Sequence, residues 1–454
     1  MGYPAGRSRW RGTTLPSLRA APFDVKPQPD GVRAREAARA HAEGRLRLLR
    51  AQERAAASSA PGRYNARVNC DVVVVGAGLV GACFARAARG VSVALVGHER
   101  PDARPAPSGP FDVRVYALTP ANAALLRELK VWQTMPAERL TPVYAMRVYG
   151  DDGASLLEFD AYRAGVPELA WIVEDAQLLG ALWRALEARD GLEIVAPAEC
   201  ERIETSSGHV SVALRDGRSL KAHLLVGADG AHSFVREQAG IQAADRPYGQ
   251  TAVVANFASE RPHRNVAYQW FQGGPVLALL PLAGSHVSMV WSLPDEEARR
   301  VLALGPRELS REVESASRRV LGELSLVTPP RGFPLRRLSA RRMIAERVAL
   351  VGDAAHVVHP LAGQGANLGF QDARVLAQVL AEGEPVRDPG DARLLRRYER
   401  ARAEPLLAMD LTVHGLYRLF QMQGGLVSRL RNAGLNLTDR VPVLKNVLMR
   451  QAMS

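Results

Sequence analysis

The apolar positions near residue 70 form two strand-like runs on either side of a helical stretch. Residues 71–75 are apolar and β-branched, and residues 91–96 form a second apolar run. Between them a glycine-rich turn leads into an alanine-rich stretch that ends at about Arg89. Short apolar runs bounded by glycine are typical of buried strands, so this order predicts a βαβ unit with parallel strands.

A second change of periodicity lies near residue 350. Residues 348–351 are a short apolar run, a turn rich in proline and glycine follows, and a helical spacing of apolar residues starts at about Ala366. Residues 245–340 have the pattern of strands around one helix over residues 296–320, and the region from Ala392 has a helical pattern. The whole chain therefore predicts a mixed α/β fold.

Three glycines in the first turn, Gly76, Gly78 and Gly81, have the spacing of a dinucleotide-binding loop. The first permits the tight turn, the second lets the backbone approach a pyrophosphate, and the third lets the helix pack on the strand. Such loops also have an acidic residue about 20 positions later that holds an adenosine ribose. Gly97 occupies that place. We expect either that Glu99 reaches the ribose, or that this contact is lost and the cofactor is bound less tightly.

The turn after residue 351 carries groups that suit a flavin. Asp353 follows a strand end, where its carboxylate can accept hydrogen bonds from ribityl hydroxyls. The amides at the start of the next helix favour the electron-rich N1–C2=O edge, because a helix N-terminus is the positive end of its dipole. The residues expected to bind the cofactor here are Gly352, Asp353, Gly363, Gln364, Gly365, Ala366 and Asn367.

The segment HPLAGQGANLGFQD, residues 359–372, resembles the second flavin-binding motif of FAD-dependent aromatic hydroxylases built like p-hydroxybenzoate hydroxylase. It is most similar to the branch that hydroxylates ubiquinone precursors. Residues 430–450 resemble the closing segment of that same branch, so the resemblance extends from about residue 70 to the end. It implies a Rossmann-like FAD-binding domain interleaved with a β-sheet substrate domain, followed by a helical carboxy-terminal region.

Three weaker similarities lie between the two motifs. Arg114 falls in a segment whose arginine, in the family, lies over the flavin and its phosphates. Residues 171–175 resemble a strand–helix junction that contacts the ribityl chain, and Asp229–Gly230 resembles a motif linked to the FAD pyrophosphate and NADPH. Taken singly, Arg114 would be a surface ion-pair partner and Asp229–Gly230 an ordinary turn. Their order around the two stronger motifs favours a flavin role.

The chemistry that the resemblance implies is hydroxylation of an aromatic ring. NADPH or NADH reduces FAD, the reduced flavin and O2 form a C4a-hydroperoxide, and an electron-rich phenol takes up the distal oxygen. His359 and Pro360 would line the pocket at the flavin edge. His356 is either part of the site or a buried histidine bonded to a backbone carbonyl. No residue is assigned as the base that deprotonates the phenol.

The domain boundaries follow from the same motifs. We expect a discontinuous FAD-binding domain and a substrate-binding domain that alternate along the chain. The FAD-binding domain comprises residues 68–110, 168–240 and 341–391. The substrate-binding domain comprises residues 111–167 and 241–340, and residues 392–454 form the helical region.

The net charge of +12 lies mostly in the amino-terminal extension. Residues 1–67 hold 14 basic and 5 acidic residues, whereas the remaining 387 residues hold 45 and 42. We expect a disordered extension, or an organellar transit peptide in residues 1–20. Because its basic residues are hardly interleaved with aromatic residues, we expect no nucleic-acid partner. Three scattered cysteines, Cys70, Cys83 and Cys200, predict neither a disulfide framework nor a metal site.

No stretch has the pattern of a transmembrane helix. Residues 273–295 are almost uncharged, but a proline and a Gly-Ser turn divide them into two strands of a hairpin. We expect a cytoplasmic enzyme with a lipophilic phenolic substrate, and peripheral contact with a membrane or with other ubiquinone-biosynthesis proteins. A mitochondrial location follows if residues 1–20 are a transit peptide. The alternatives are a flavin hydroxylase of a small soluble aromatic and a flavin reductase on the same fold.

Overall fold

The structure is a computed structural model. It describes residues 67–101, 109–152, 155–359, 364–382 and 388–421, and the statements below concern these residues. The amino-terminal extension, the loop residues Pro360 and Gly363, and the closing segment at residues 430–450 lie outside them.

The first sheet is built around β1, which pairs in parallel with β2 on one side and β11 on the other. Its main path runs β18-β19-β11-β1-β2-β8, and β10 and β9 extend it from β11. The βαβ prediction is confirmed, since β1 and β2 are parallel and enclose a helix. The strands are β1 (Arg67–Val75), β2 (Val93–Val96), β8 (Leu192–Val195), β9 (Cys200–Thr205), β10 (Val210–Leu214), β11 (Ser219–Gly227), β18 (Ile344–Ala345) and β19 (Val348–Leu350).

The helices that pack with this sheet contact one another through small residues. A Cβ atom at Gly369 would lie 2.5 Å from Cγ2 of Val80, so only glycine allows these two helices to approach so closely. The first helix, α1, and the flavin-motif helix, α8, meet at this contact. The helices of this layer are α1 (Leu79–Ala87), α2 (Pro120–Glu128), α4 (Asp175–Glu187), α5 (Phe234–Gln238), α8 (Gly365–Ala381) and α9 (Ala392–Gln421). The short helix α3 (Ala161–Ala164) directly follows a strand of the second sheet, Leu156–Asp160.

The second sheet is mostly antiparallel, with the path β20-β17-β12-β15-β14-β13-β5-β6, and β16 pairs with β12. The hairpin prediction for residues 273–295 is confirmed by β14 and β15, which pair antiparallel. The strands are β5 (Ala145–Tyr149), β6 (Leu156–Asp160), β12 (Ala243–Ser259), β13 (Val266–Phe271), β14 (Val276–Leu282), β15 (His286–Pro294), β16 (Leu324–Leu326), β17 (Arg331–Ala340) and β20 (His356–Val357).

The prediction of a single helix over residues 296–320 is wrong. Two helices, α6 (Asp295–Leu302) and α7 (Pro306–Ala316), occupy this region and cover one face of the second sheet. The break falls at Gly305 and Pro306, because a proline has no N–H to continue the helical hydrogen bonds and fits best at a helix start.

A small third sheet and a short turn connect the two larger sheets. The third sheet pairs β7 (Ala170–Glu174) with β3 (Val115–Leu118) and β4 (Thr141–Val143), both antiparallel. Strand β19 belongs to the first sheet and β20 to the second, and the single 3₁₀ turn Gly352–Ala354 lies between them. The residues predicted to bind the flavin ribityl chain are therefore placed where the two sheets meet.

Candidate active site

In the first glycine turn, two glycines are required by contacts within the protein, and one leaves space for a ligand. Gly76 has φ +107°, and a Cβ there would lie 2.2 Å from the carbonyl oxygen of Ala228. A Cβ at Gly81 would lie 1.8 Å from the carbonyl oxygen of Gly76, so the fold itself requires both glycines. By contrast, a Cβ at Gly78 would have no atom within 4 Å. Gly78 therefore leaves open space at the start of α1, where a pyrophosphate can approach the helix amides.

The end of β2 has no acidic residue to hold a ribose. Gly97 is buried, and a Cβ there would lie 2.5 Å from Cβ of Ala77. This backbone therefore excludes an acidic side chain at the usual place. Glu99 is exposed two residues later, beyond the strand end. Its contact with the ribose stays a prediction.

Arg114 lies close enough to Asp353 to affect the pKa of its carboxyl group. The carboxylate of Asp353 is accessible to solvent but is surrounded by protein, as expected for the wall of a cleft. This desolvation raises the pKa of Asp353, while His356 and Arg114 oppose the rise. The guanidinium of Arg114 also lies 5.5 Å from the ring centre of Phe333 on β17. The structure thus brings together two residues that the sequence placed in separate motifs.

A second polar pair lies beside this one. The hydroxyl of Tyr116 donates to Oδ1 of Asp175 at 2.9 Å, which joins β3 to the start of α4. Burial raises the pKa of Asp175, against the effects of Arg114 and Tyr116, and burial also raises the pKa of Tyr116. Tyr116 was missed by sequence reasoning because a tyrosine in a short strand has no distinctive spacing. The junction predicted at residues 171–175 is a strand, Ala170–Glu174, followed by a helix that begins at Asp175.

A buried ion pair holds the chain just before Arg114. Arg139 Nε and Nη2 donate to the two carboxylate oxygens of Glu174 at 2.7 and 2.6 Å, and both side chains are almost fully buried. Glu174 also accepts from the N–H of Asp112 at 2.7 Å. The guanidinium of Arg139 lies 4.3 Å from the ring centre of Phe111. These contacts fix residues 111 and 112, and with them the backbone that leads to Arg114.

The carboxylate of Asp372 binds three partners in the protein interior. Its Oδ2 accepts from the N–H of Gly352 at 2.9 Å and contacts Nε2 of His356 at 2.6 Å, and its Oδ1 accepts from Nε of Arg402 at 2.6 Å. His356 is therefore buried, but its partner is this carboxylate. The alternative of a backbone carbonyl as the partner of Nε2 is wrong. Burial favours a higher pKa for Asp372, but His356, Arg402 and the Gly352 amide outweigh it and lower the pKa.

The start of α8 is fixed by Asn367. Its Nδ2 donates to the carbonyl oxygen of Ala117 at 2.8 Å, and its Oδ1 accepts from the N–H of Thr119 and from Nδ2 of Asn122. The side chain of Asn367 is thus committed to protein contacts, which leaves backbone amides as the groups that can face a flavin. Helix α8 begins at Gly365, one residue before the predicted start, and Gln364 is the buried residue that precedes it while Ala366 is half-buried.

His359 lies where the second sheet meets the flavin motif. It is buried, and its Nε2 lies 3.2 Å from Oε1 of Gln250 on β12. Burial lowers the pKa of His359 to about 4, so the ring is neutral at pH 7. The ring of Tyr248 packs edge-on against it at 4.8 Å. The pairing of β12 with β17 is irregular between Pro247 and Gln250, and such bulges redirect side chains toward sites.

The Asp229–Gly230 turn has a structural role in the protein. Asp229 accepts from Oγ of Ser233 at 2.6 Å and from the N–H of Val235 at 3.0 Å, which caps α5. Gly230 has φ +81°. The buried Arg236 of the same helix donates to the carbonyl oxygen of Ala354, in the turn that contains Asp353. The predicted contact of this motif with a pyrophosphate and a nicotinamide cofactor stays a prediction.

A family model described as the FAD binding domain matches residues 69–409. The chain belongs to the FAD-binding monooxygenase family. It is an FAD-dependent aromatic-ring monooxygenase, which confirms the resemblance found in the sequence and the mixed α/β fold that it implied.

Relatives of known name refine this placement within the FAD-binding monooxygenases. The chain is 36% identical over 386 residues to ubiquinone hydroxylase UbiL of Rhodospirillum rubrum, which covers 84% of this chain and 89% of that protein. It is 32% identical over 391 residues to the 3-demethoxyubiquinol 3-hydroxylase of Escherichia coli, which covers 84% and 98%. The crystal structure of PqsL, a probable FAD-dependent monooxygenase from Pseudomonas aeruginosa, matches with a TM-score of 0.67 at 26% identity, covering 81% and 99%.

The residues present fit FAD, the cofactor of this monooxygenase family. Open space at Gly78 lies where a pyrophosphate would approach the start of α1, and a Cβ would fill it. The exposed carboxylate of Asp353 can accept hydrogen bonds from hydroxyls. Arg114 supplies a positive charge beside it. The chain thus offers separate groups for the phosphates and for the ribityl chain.

Proposed function

We propose that this flavoenzyme hydroxylates the aromatic ring of a polyprenylated phenol or quinol in ubiquinone biosynthesis. The similarity to ubiquinone hydroxylases over 84% of the chain is the observation that carries this proposal. FAD, once reduced, supplies the activation of O2. The overall reaction consumes NAD(P)H, a proton and O2, and it yields NAD(P)⁺, water and a ring hydroxyl in place of a ring hydrogen.

An apolar wall on the second sheet supports a lipophilic ring as the substrate. It is formed by Val113, Ala252, Val254 and Leu335, with Tyr248, Val290 and Phe333 partly buried against them. One end of this wall reaches Arg114 through Phe333, and the other reaches His359 through Tyr248. A wall that contacts both Arg114, predicted over the flavin, and His359, predicted at its edge, is where a ring would lie. Its apolar character would also keep water from the reacting atoms.

The protein groups divide into those that hold the cofactor and those that shape the pocket. We propose that Asp353 accepts from the ribityl hydroxyls and that the amides at the start of α8 stabilise negative charge on the reduced ring. His359 stays neutral because of its low pKa, and it can exchange hydrogen bonds at the pocket edge without adding charge. Pro360, which lies outside the described residues, is proposed beside it. Among the described residues we assign no base to the phenol.

A prenyl tail would bring the enzyme to a membrane surface. We therefore propose peripheral membrane contact, in the cytoplasm or, if residues 1–20 are a transit peptide, in mitochondria. Within the described ranges no helix has both the length and the apolar character that crossing a bilayer requires. Other ubiquinone-biosynthesis proteins are the partners that would hand over such a substrate.

Two measurements test this function. Purified protein should consume O2 with NADPH or NADH when a prenylated phenol is supplied. Mass spectrometry should then show one hydroxylated product molecule for each O2 consumed. A deletion strain should lose ubiquinone and accumulate an intermediate that lacks one hydroxyl, and the wild-type gene should restore it. The Gly78→Val gene should fail to do so.

Three outcomes would contradict the proposal. Unchanged ubiquinone, in a strain with no second hydroxylase for the step, would exclude the quinone substrate. O2 consumption with small soluble phenols only would favour a hydroxylase of soluble aromatics. NAD(P)H oxidation without any hydroxylated product, for either substrate class, would favour a flavin reductase.

A further inference from the structure

The carboxy-terminal helix α9 contacts the strand and turn that precede the flavin site. The hydroxyl of Tyr398 donates to the carbonyl oxygen of Leu350 at 2.8 Å, and Glu399 accepts from the N–H of Met343 at 2.9 Å. Arg402, one turn further along, donates to Asp372. Three residues within a single stretch of α9 thus contact β19, the residue before β18, and helix α8.

Arg402 and Asp372 form the most buried of these contacts. Arg402 is 3% exposed and Asp372 is fully buried. Arg402 also donates to Oε1 of Gln371 at 3.0 Å, so the guanidinium is fixed on α8 by two neighbouring side chains. Buried charges are costly unless they are paired and hydrogen-bonded, and this pair satisfies that condition through specific geometry.

The opposite oxygen of Asp372 contacts the cofactor turn. It accepts from the N–H of Gly352, the residue directly before Asp353, and it contacts His356, which follows the turn. Gly352 has φ +61°, a conformation in which a non-glycine residue is strained. One carboxylate therefore fixes both sides of the short turn that carries Asp353.

We propose that Asp372 and Arg402 are positioning residues for FAD. Arg402 fixes the carboxylate of Asp372, and that carboxylate orients the Gly352–Asp353 turn so that Asp353 meets the ribityl chain. Helix α9 therefore contributes to cofactor affinity although Arg402 does not touch the cofactor. The inference is independent of which phenol the enzyme hydroxylates.

The test compares Arg402→Met and Asp372→Asn with a matched control in the full-length holoenzyme. Arg397→Met also removes an ion pair between α9 and the end of α8, because Arg397 contacts Glu382 at 2.6 Å, but both of those side chains are largely exposed. FAD release on serial dilution, followed by flavin fluorescence, should show about a tenfold to hundredfold weaker affinity for the two variants. Arg397→Met should bind FAD as the wild type does.

A second readout separates positioning from general stability. A ligand that binds the folded state raises the melting temperature, so the rise produced by added FAD reports on binding rather than on the fold. That rise should be smaller in Arg402→Met, and also in the double variant Arg402→Met with Asp372→Asn, which removes both charges. In Arg402→Lys the rise should be larger than in Arg402→Met. If a variant lowers the melting temperature by the same amount with and without FAD, the rise produced by FAD is unchanged, and the proposal is overturned. Failure of Arg402→Lys to fold would overturn it as well, because the network would then serve the whole fold.

Discussion

The N–H of Thr119 donates to Oδ1 of Asn367 at 3.0 Å, across 248 positions of sequence. This bond ties the end of β3 to the start of the flavin-motif helix α8. Because the same oxygen also accepts from Asn122, a single side chain connects three elements in a region without solvent. The asparagine of the motif therefore has a structural role that its position in a cofactor-binding sequence does not reveal.

Replacing this asparagine should destabilise the protein. Asn367→Ala leaves the buried Thr119 amide, the Asn122 amide and the Ala117 carbonyl without their partner, and we expect a loss of about 3 kcal/mol or more in the free energy of unfolding. Chemical denaturation measures it. Gln133→Ala, which removes one exposed hydrogen bond at 3.3 Å, is the control and should change stability by less than about 0.5 kcal/mol. Equal effects of the two variants would disprove the structural role.

Removing the carboxylate of Asp353 should release the cofactor without unfolding the chain. The side chain faces the cleft, so Asp353→Ala removes no core packing, and we expect a folded, largely colourless protein with FAD affinity about tenfold to a hundredfold lower. Asp353→Asn keeps an acceptor and should lose less. Absorbance of the purified proteins at flavin wavelengths decides this. A normal flavin content in the alanine variant would show that another group holds the ribityl chain.

Replacing the first two glycines of the first glycine turn should have two different effects. Gly76→Val places a side chain against the Ala228 carbonyl at a positive φ, so the variant should lose folded protein. Gly78→Val meets no protein atom within 4 Å of its Cβ, so the variant should stay folded but exclude the pyrophosphate. Circular dichroism and flavin content measured on both variants distinguish the two. A Gly78→Val protein that retains FAD would place the phosphates elsewhere.

The stability of the protein should fall as the pH drops below 6.5, partly because of His359. The folded state takes up this proton only at about pH 4, whereas the unfolded chain takes it up near 6.5. The unfolded state thus binds more protons between these values, and stability is lost through this window by about 3 kcal/mol in total. His359→Gln should reduce the loss. Identical pH profiles for wild type and variant would refute the low pKa.

The sequence predicted the elements of the flavin motifs well because their signals are local. The strand before Gly352 and the helix from Gly365 follow from apolar spacing and glycine positions within one short segment. The break at Pro306 was also visible locally, since a proline inside a helical pattern marks a new start. The prediction of a single helix relied on the apolar spacing on either side of that proline and neglected the proline itself.

The partners of the site residues could not be predicted in the same way. Gln250, Tyr116 and Arg402 reach the site from strands and a helix that are distant in sequence, and none has a distinctive spacing. His356 illustrates the difference, since the sequence left its burial as one of two alternatives, and its carboxylate partner lies on the following helix. Such contacts depend on the packing of whole elements, which periodicity does not encode.

The position of β1 in the middle of its sheet determines when this sheet can assemble during synthesis on the ribosome. This strand is made early, yet its neighbour β11 follows about 150 residues later, and β19 must then pair with β11. Contacts between distant residues form slowly, because a long loop must close before they can form. A chain halted before Arg402 would therefore have both glycine motifs but an incomplete surrounding network. The nascent protein should acquire its cofactor only after Arg402 has been synthesised.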